Sequence, residues 1–493
     1  MQSKRDQVQA HSFVMSRLAA GMLLADPDAP ETPLGRTTRG AFAGVIVAVL
    51  VAAGALVYGL IVPGGNDSWR SAGTLVVNKD TGARYLYAGG ALRPVRNYAS
   101  ALLIAGSELK VRDLRGTSLR GTPIGPPLGV PGAPESVPPA GDLDRGPWQV
   151  CSTLTASGAA VTTLRVARSA DGVPVGVRQG LLVRGPDRTT YLVWQGSRLR
   201  LDEKSGAAIS LGYGAVTPRP VSAAFLDTLV AGPDLAAPRV PGLGTAGPAL
   251  GSAPGRVGQV FRYSVSGSGA PTYYQLRREG LVPVTATDAT LALGDPATRA
   301  AYRDGSPSAV AIGADQVRQH LAPGAAGRAP ASTGAPATPP KAAAVPDGQA
   351  ACAQALPGPD GTRVSTVLLP LAALGPVAVS GDVPASAACL PVDGVVVTPG
   401  RGALVRALGA DGAPAGDTTY FVADNGEKYR LPTRAAVAAL GFSGAEATAL
   451  PSPLLAMLPS GPDLSPQSAA GAGAATTGPA CAAPVSGPSA AKR

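Results

Sequence analysis

Residues 41–62 contain no charged side chain, and this run constrains the chain more than any other feature. It reads AFAGVIVAVLVAAGALVYGLIV from Ala41 to Val62. At about 1.5 Å per residue, a helix of this length spans roughly 33 Å, enough to cross the hydrocarbon core of a bilayer. Tyr58 lies near one end, where an interfacial aromatic side chain is favoured. We therefore predict one membrane-spanning helix over residues 41–62.

The charges on either side of this run predict its orientation. Several basic residues precede the run, whereas only Arg70 follows it closely. The positive-inside bias therefore predicts that residues 1–40 lie in the cytoplasm and that the bulk of the chain lies on the cell-wall or periplasm-like side. A cleaved signal peptide is the alternative, but 40 residues precede the run and no A-x-A-like site closes it. We predict an uncleaved single-pass anchor in the cell membrane. The basic residues ahead of the run are Lys4, Arg5, Arg17, Arg36 and Arg39.

All the cysteines follow the membrane segment: Cys151, Cys352, Cys389 and Cys481. An even set on the exported side of a membrane is typical of disulfides, and four cysteines allow three connectivities. Zinc binding is the alternative, but no CxxC pair exists and His320 is the only histidine in this part of the chain. The sequence predicts disulfides and no metal site.

The first 25 residues have the periodicity of a helix. Asp26-Pro27 predicts its end, because the residue before a proline avoids helical geometry. Such a helix could lie on the membrane surface, or it could dock onto a cytoplasmic partner, and periodicity leaves both readings open. The narrow stripe, with spacings of three and four, consists of Val8, His11, Met15, Leu18 and Met22.

A repeated sequence pattern is the most informative feature beyond the membrane segment. Each copy has a β-like run, a turn, an aromatic strand, a second turn and a short strand. Copies two and four continue into similar apolar stretches that end in Gly-Pro-Asp-Leu, at 232–235 and 461–464. The copies span Gly73–Val95, Gly180–Leu201, Gly258–Val284 and Gly402–Leu431.

These features predict a β-rich α+β fold. Strand-like runs between the repeats could combine into one central unit, whereas two Ala-, Pro- and Gly-rich segments cannot bury enough surface to fold alone. The expected parts are a cytoplasmic helix segment at 1–40; the membrane helix at 41–62; repeats 1 to 4 at 67–120, 180–245, 256–320 and 395–465; a central core at 146–179 and 351–394; a linker at 322–350; and a flexible tail at 466–493.

Catalytic motifs are missing from the sequence. No lysine follows a glycine, which excludes the common GxxxxGK[ST] phosphate-binding loop. His320 borders the linker, no GxSxG motif accompanies it, and acidic residues such as Asp142, Asp144, Asp202 and Glu203 occur near turns, where Asp usually bonds to backbone. We predict that the chain is not an enzyme and needs no cofactor. A nucleotide hydrolase or wall hydrolase is the alternative.

The net charge of +10 suits a surface that faces anionic lipid or cell wall. The basic residues are scattered and do not lie beside stacking aromatics, so nucleic acid is not an expected partner. Small repeated β-domains often hold ligands, and a peptidoglycan-binding module is a further alternative.

A set of short motifs along the chain allows a family to be named. The motifs begin with RDQVQAHSFV from Arg5 to Val14, then Arg17-Leu18 and Asp26-Pro27-Asp28. They continue with the membrane segment and its Tyr58-Gly59-Leu60 exit, Trp69, Pro123-Ile124-Gly125, VPGAP at 130–134 and WQVC at 148–151. In these motifs the sequence resembles the EccB family, a core membrane component of actinobacterial type VII (ESX) secretion systems.

The resemblance implies a short cytoplasmic helix, one membrane span, and four repeat domains around a central β-rich core. It implies a structural role beside lipid in a ring-like complex with EccC (the motor ATPase), EccD and in mycobacteria EccE, in contact with secreted substrates only indirectly. The family's disulfide corresponds to Cys151 and Cys352, and we expect the remaining Cys389 and Cys481 to pair. Some members carry an ATPase label, which the lysine pattern does not support. Pro126-Pro127-Leu128-Gly129 departs from the family pattern by interrupting a proline loop.

Overall fold

A computed structural model describes most of the chain, which divides into two units. The first comprises residues 1–70 with 114–121, and the second comprises residues 71–113 with 122–493. Each is described by itself below. The described residues are 3–28, 33–61, 67–168, 172–250, 254–265, 269–302, 305–327, 334–358, 361–378, 386–409, 412–471 and 481.

The N-terminal unit begins with a capped helix, α1 (Lys4–Leu24). Ser3 caps it: the Ser3 Oγ accepts from the Asp6 N–H at 3.3 Å, and the Asp6 carboxylate accepts from the Ser3 N–H at 3.1 Å. Ala25 adopts a left-handed φ of 55° just after the helix. The helix therefore ends immediately before Asp26-Pro27, as the sequence predicts.

The second helix, α2 (Pro33–Ile61), is longer than the uncharged run. Its segment Thr37–Gly59 has a mean hydropathy of 2.5 and is long enough to cross a membrane. The helix starts ahead of Ala41 because proline is favoured at a first helical position. The residues between this proline and Ala41 continue the helix before the apolar run begins. Val62, the predicted end, lies outside the described residues. A 3₁₀ turn, Asp67–Arg70, follows in the same unit.

Repeat 1 forms a small sheet in the order β3-β2-β1-β4. Three strands make an antiparallel meander, a helix follows, and the fourth strand returns beside the first. The elements are β1 (Thr74–Asn78), β2 (Arg84–Ala88), β3 (Ala91–Pro94), α3 (Tyr98–Ala105) and β4 (Lys110–Leu114), followed by a 3₁₀ turn at Gly116–Leu119 in the N-terminal unit and another at Ala140–Asp142.

Repeat 2 has the same strand order, and short strands of the repeat itself lie at both ends of this order. Three strands of a central sheet precede it along the chain: β5 (Trp148–Leu154), β6 (Ala160–Arg165) and β7 (Val173–Pro174). The repeat itself comprises β8 (Gln179–Arg184), β9 (Thr190–Trp194), β10 (Ser197–Arg200), α4 (Ala207–Ser210), β11 (Arg219–Pro220), α5 (Ala223–Thr228) and β12 (Val230–Ala231).

Repeats 3 and 4 repeat this topology, with the fourth strand parallel to the first in each. Repeat 3 comprises β13 (Val260–Tyr263), β14 (Thr272–Arg277), β15 (Gly280–Val284), α6 (Ala286–Gly294), a 3₁₀ segment at Pro296–Ala301, β16 (Val310–Ala311) and α7 (Ala314–His320). Then come β17 (Lys341–Ala342), β18 (Gln349–Gly358), β19 (Gly361–Pro370), a 3₁₀ turn at Leu371–Ala373 and β20 (Gly394–Val396). Repeat 4 comprises β21 (Ala403–Leu408), β22 (Pro414–Val422), β23 (Lys428–Leu431), α8 (Arg434–Ala439), a 3₁₀ turn at Gly444–Glu446, β24 (Thr448–Pro451) and α9 (Ser452–Ala456), before the final α10 (Pro466–Ala469).

The central sheet joins two distant parts of the chain in the order β20-β6-β5-β18-β19-β7. Strand β18 pairs antiparallel with both β19 and β5. The matched apolar helices α5 and α9 pack on this sheet, where Phe225 and Leu454 share one buried cluster with Trp148. The apolar stretches that accompany Gly-Pro-Asp-Leu in repeats 2 and 4 thus serve as the contact with the core.

The repeats also pack in pairs. Repeat 1 shares a buried cluster with repeat 4, which includes Leu103 of α3 and Val437 of α8. Repeat 2 shares another with repeat 3, which includes Leu291 of α6 and Leu211, directly after α4. In each pair, the helix between the third and fourth strands makes the contact.

An extended Gly-Pro-x-Leu segment closes repeats 1, 2 and 4 along the third strand. The N–H groups of Gly125, Gly232 and Gly461 donate to carbonyls of the third strands at 2.9, 3.0 and 3.0 Å. In repeat 1, the segment is Gly125-Pro126-Pro127-Leu128, and the Leu128 N–H donates to the Pro94 carbonyl at 2.8 Å. Pro126-Pro127-Leu128 therefore occupies the place of Pro-Asp-Leu in the other two repeats, and the contacts of repeat 1 extend beyond residue 120.

The segments expected as a linker and a tail carry structure in their described parts. Strand β17, inside the linker, pairs parallel with β8, and buried Pro340 accepts a hydrogen bond from the Tyr213 hydroxyl at 2.6 Å. Helix α10, at the start of the tail, contributes buried Ala469 to the cluster between repeats 1 and 4. Carbonyls and edge strands of the repeats thus supply the partners that these segments, which composition predicts cannot fold alone, do not supply themselves.

Candidate functional surfaces

Helix α1 presents an apolar face to solvent. The exposed fractions of Val8, Met15, Leu18 and Met22 are 68%, 54%, 55% and 83%, and His11 is also exposed. The structure therefore leaves the predicted stripe available for a partner or a membrane surface. Sequence reasoning missed two further exposed apolar side chains of α1 that lie outside the stripe, Phe13 and Val14, which are 61% and 53% exposed.

A shallow groove of about 410 Å³ runs along this face, and Pro27 closes one end. Arg17 lies at the groove, with its guanidinium 5.6 Å from the Phe13 ring centre and in an ion pair with Asp28. Because Asp28 engages this cation, the remaining lining is mainly apolar. The surface suits an apolar helix side or the interfacial region of a bilayer.

Helix α2 exposes its apolar side chains all round. In the membrane-length segment Thr37–Gly59, no part of the apolar stretch that could cross a membrane is buried. Large side chains such as Phe42, Leu50 and Tyr58 are 72%, 65% and 69% exposed. A helix that is apolar on every side needs a nonaqueous environment, so this element is a candidate membrane span.

The four cysteines form two disulfides in contrasting surroundings. Cys151 and Cys352 lie directly opposite each other on β5 and β18, with Cα atoms 3.9 Å apart, and both are fully buried. Cys389 and Cys481 are joined with Cα atoms 5.3 Å apart, and both are exposed. The first bridge fastens the two parts of the central sheet, and the second fastens the chain near its C-terminus to the segment ahead of repeat 4.

Two Arg–Asp pairs connect the third strand of a repeat to its closing segment. Arg200 pairs with Asp234, and Arg430 donates to Asp463 at 2.7 Å. The Arg200 hydrogen bond holds the pKa of the Asp234 carboxyl below its usual value. These pairs were not predicted, although the shared Asp of Gly-Pro-Asp-Leu and the arginine directly before the last leucine of these two repeated patterns were visible signals.

A cluster of polar side chains lies at the tip of the β22–β23 hairpin in repeat 4. The Tyr429 hydroxyl donates to Glu427 at 2.8 Å and accepts from Asn425 at 2.8 Å. Lys428 Nζ donates to the Leu455 carbonyl at 2.6 Å, and burial lowers the pKa of Lys428 to about 8. These bonds tie the hairpin to α9, and they engage each group in structural contacts.

Three of the acidic residues near turns have structural partners. Asp144 and Asp142 pair with Arg401 at 2.7 and 3.5 Å, and Asp202 accepts from the Ser205 N–H at 3.0 Å. His320 is half-buried at the end of α7. Among the described residues, no group of three or more His, Cys, Asp or Glu side chains is placed to hold a metal ion.

Comparison with known proteins places this architecture in a family. The model for "Type VII secretion system ESX-1, transport TM domain B", the EccB model, matches residues 1–476. The "ESX-3 secretion system ATPase EccB3" of Mycolicibacterium smegmatis is 30% identical over 490 residues, covering 94% of this chain and 89% of the relative. The "ESX-5 secretion system ATPase EccB5" of Mycobacterium tuberculosis H37Rv is 32% identical over 284 residues, 52% of this chain and 53% of the relative.

Solved structures agree with these sequence matches. The EccB3 dimer from the ESX-3 core complex superposes with a TM-score of 0.63 at 26% identity, over 80% of this chain and 99% of that chain. A chain of the intact ESX-5 inner membrane complex shares the fold, with a TM-score of 0.63 at 24% identity over 95% of each chain. The resemblance read from the N-terminal motif is confirmed across the molecule. The chain belongs to the EccB family of type VII secretion system membrane proteins.

Proposed function

We propose that this chain is the scaffold subunit of an ESX secretion complex, with residues 1–40 in the cytoplasm and the four repeats on the exported side. The observation that carries the proposal is the fully exposed apolar helix α2, the one helix of membrane-spanning length and hydropathy among the described residues, followed by a disulfide-bonded β-rich region. Both disulfides follow α2, and disulfides persist in oxidising compartments. The basic residues ahead of α2 favour the same orientation.

Protease treatment of intact cells tests this orientation. We expect an external protease to cleave an epitope tag after Arg493 and the chain downstream of Trp69, while a tag ahead of Met1 remains intact until the membrane is opened. Protection of both tags in intact cells, with cleavage of both after lysis, would place the repeats inside and overturn the proposal. A cytoplasmic protein followed in the same samples controls for leakage.

A structural role accounts for the chain without ATP hydrolysis. The relatives carry "ATPase" in their names, but no lysine of this chain follows a glycine, and Lys428 of repeat 4 is bonded to a backbone carbonyl. We expect the full chain, purified in mild detergent, to hydrolyse ATP no faster than buffer. Hydrolysis that follows the chain through gel filtration and falls with a substitution in it would contradict this expectation.

The exposed face of α1 is the proposed docking surface for the other ESX core subunits, EccC and EccD, and EccE where it exists. Leu18→Glu places a charge in the apolar groove, whereas Gln9→Glu places the same charge on the opposite side of α1, about two and a half turns away. We expect Leu18→Glu to reduce recovery of these subunits at least tenfold in affinity purification, and Gln9→Glu to leave it unchanged. Normal recovery with Leu18→Glu, combined with loss of binding to lipid vesicles, would favour the membrane-surface role instead.

A further inference from the structure

Two segments that follow the odd-numbered repeats resemble each other. Strap A is defined as residues 130–144, after repeat 1, and strap B as residues 334–343, after repeat 3. Both contain Gly-Ala-Pro, at 132–134 and 334–336, and both continue to a Pro-Pro pair, at 138–139 and 339–340. Strap B lies within the segment that composition alone marks as a linker.

Each strap first contacts the helix of the repeat it leaves. The Ala99 N–H donates to the Pro134 carbonyl at 3.3 Å, and the Thr287 N–H donates to the Ala337 carbonyl at 3.2 Å. Ala99 and Thr287 each lie two residues after the capping residue of their helix, Asn97 in one case and Thr285 in the other. The straps thus satisfy the same otherwise unpaired helical N–H position in repeats 1 and 3.

Each strap then crosses onto the closing segment of an even-numbered repeat. Gly132 and Gly334 have φ values of 75° and 81°, a conformation that favours glycine. A Cβ added at Gly132 would lie 3.7 Å from Pro462 Cδ, and one added at Gly334 would lie 3.6 Å from Pro233 Cδ. Pro462 and Pro233 are the same position of Gly-Pro-Asp-Leu in repeats 4 and 2.

Each strap ends by joining the sheet of that even-numbered repeat. The Asp144 N–H donates to the Gly402 carbonyl at 2.8 Å, and the Ala343 N–H donates to the Gly180 carbonyl at 2.8 Å. Gly402 and Gly180 open the corresponding repeated sequence patterns in repeats 4 and 2. Strap A takes a longer route between its Gly-Ala-Pro and this bond, which accommodates the 3₁₀ turn at Ala140–Asp142.

We propose that repeats 2 and 4 each carry the same binding groove for an extended Gly-Ala-Pro strand, formed by the closing proline and the opening glycine of the first strand. The occupant is supplied within the chain: strap A couples repeat 1 to repeat 4, and strap B couples repeat 3 to repeat 2. Strand addition gives affinity through main-chain hydrogen bonds, and the left-handed glycine fits the strap against the proline. The inference holds independently of the orientation and partners proposed above.

Leucine substitutions at matched glycines test the groove by hydrogen exchange in the full chain. Gly334→Leu introduces backbone strain and a side chain directed at Pro233, whereas Gly348→Leu introduces comparable strain at φ 76° with no atom within 4 Å of its Cβ. We expect peptides containing Thr287 and Ala343 to exchange at least tenfold faster in Gly334→Leu and to remain unchanged in Gly348→Leu. Equal exchange in both variants would overturn the proposal.

The wild-type protein provides a measurement that does not depend on a variant folding. If the straps are docked strands, the amides of Asp144 and Ala343 exchange as slowly as those of β21 and β8, which they join. Exchange of both amides at the rate of an unstructured peptide would refute docking at both repeats. Gly132→Leu provides the second arm, and we expect it to release Ala99 and Asp144 while leaving Thr287 and Ala343 protected.

Discussion

The same ion pair has different surroundings in repeats 2 and 4. The Asp234 side chain is 47% exposed, whereas the Asp463 side chain is 3% exposed. An exposed pair is screened by water and contributes about 0–1 kcal/mol, while loss of one partner of a buried pair costs more because it leaves a charge unpaired. The burial of the carboxylate, more than the presence of the pair, sets its value to the fold.

Substituting asparagine at both positions tests this difference. We expect Asp463→Asn to destabilise repeat 4 by about 2–4 kcal/mol, since Arg430 loses a largely buried partner. Asp234→Asn should cost repeat 2 less than about 1 kcal/mol. Hydrogen exchange of β23 and β10 under native conditions measures both changes. Equal losses in the two variants would show that burial does not decide the contribution.

Lys428 predicts a pH dependence of repeat 4. Burial lowers its pKa from 10.5 to about 8, so the unfolded chain binds more protons than the folded chain between these values, and stability rises with pH through this window. Burial and Glu427 raise the pKa of Tyr429 above its ordinary 10.0, which removes stability above about pH 10. The rise should therefore be seen between pH 8 and 10.

Lys428→Met isolates this effect. Methionine keeps the length of the buried chain and removes the titrating group, so the increase between pH 8 and 10 should disappear. Urea unfolding, followed by exchange or proteolysis of β22 and β23, reports the slope with pH. A slope that is unchanged in Lys428→Met would assign the pH dependence to another group.

At the scale of elements, local turn and hydrophobic signals were sufficient to predict the hairpins of the repeats and the presence of both N-terminal helices. The hairpin at Asn425-Gly426 and the end of α1 before Asp26-Pro27 are set by backbone preferences of a few adjacent residues. The two-residue strand β17 could not be predicted this way, because the edge of β8, more than 150 residues away, determines it. The start of α2 ahead of Ala41 was missed because hydropathy marks the membrane core and not the ends of the helix.

The two disulfides should respond differently to a reductant. Cys389 and Cys481 are exposed, whereas Cys151 and Cys352 are fully buried between strands of the central sheet. Thiol–disulfide exchange requires access of the attacking thiolate to sulfur. We expect mild reductant to make only Cys389 and Cys481 available to a maleimide reagent, with Cys151 and Cys352 labelled after denaturation.

Mass spectrometry of the labelled peptides gives the order of reduction. The double variant Cys151→Ser with Cys352→Ser should lose on the order of 5 kcal/mol of unfolding free energy. This value follows from the chain-entropy relation, because the bridge joins cysteines that are 201 residues apart in the sequence. Labelling of Cys151 ahead of Cys389 would contradict the expected order and would indicate that the central sheet opens readily.

At the scale of the whole molecule, the pairing of repeats was beyond sequence reasoning. The repeated patterns indicated four similar units, but the helices that join them, α3 with α8 and α4 with α6, are short, and alanine is common in them. Small side chains permit close approach without specifying a partner. What selects the partner is the fit of individual side chains across each contact, together with the strap that follows each odd-numbered repeat.

Gly294 at the end of α6 offers the sharpest test of this fit. A Cβ added there would collide with the side chain of Ser210, the last residue of α4. Gly294→Ala should therefore separate repeats 2 and 3 locally, at a cost of about 1–3 kcal/mol for overpacking, even though alanine favours helices more than glycine does. Ser210→Gly removes the opposing side chain, so the double variant should recover most of the loss, a coupling that a thermodynamic cycle of unfolding free energies measures. If the two substitutions were instead additive, the close contact of α4 with α6 would not be what joins these repeats, and the straps alone would have to hold the pair.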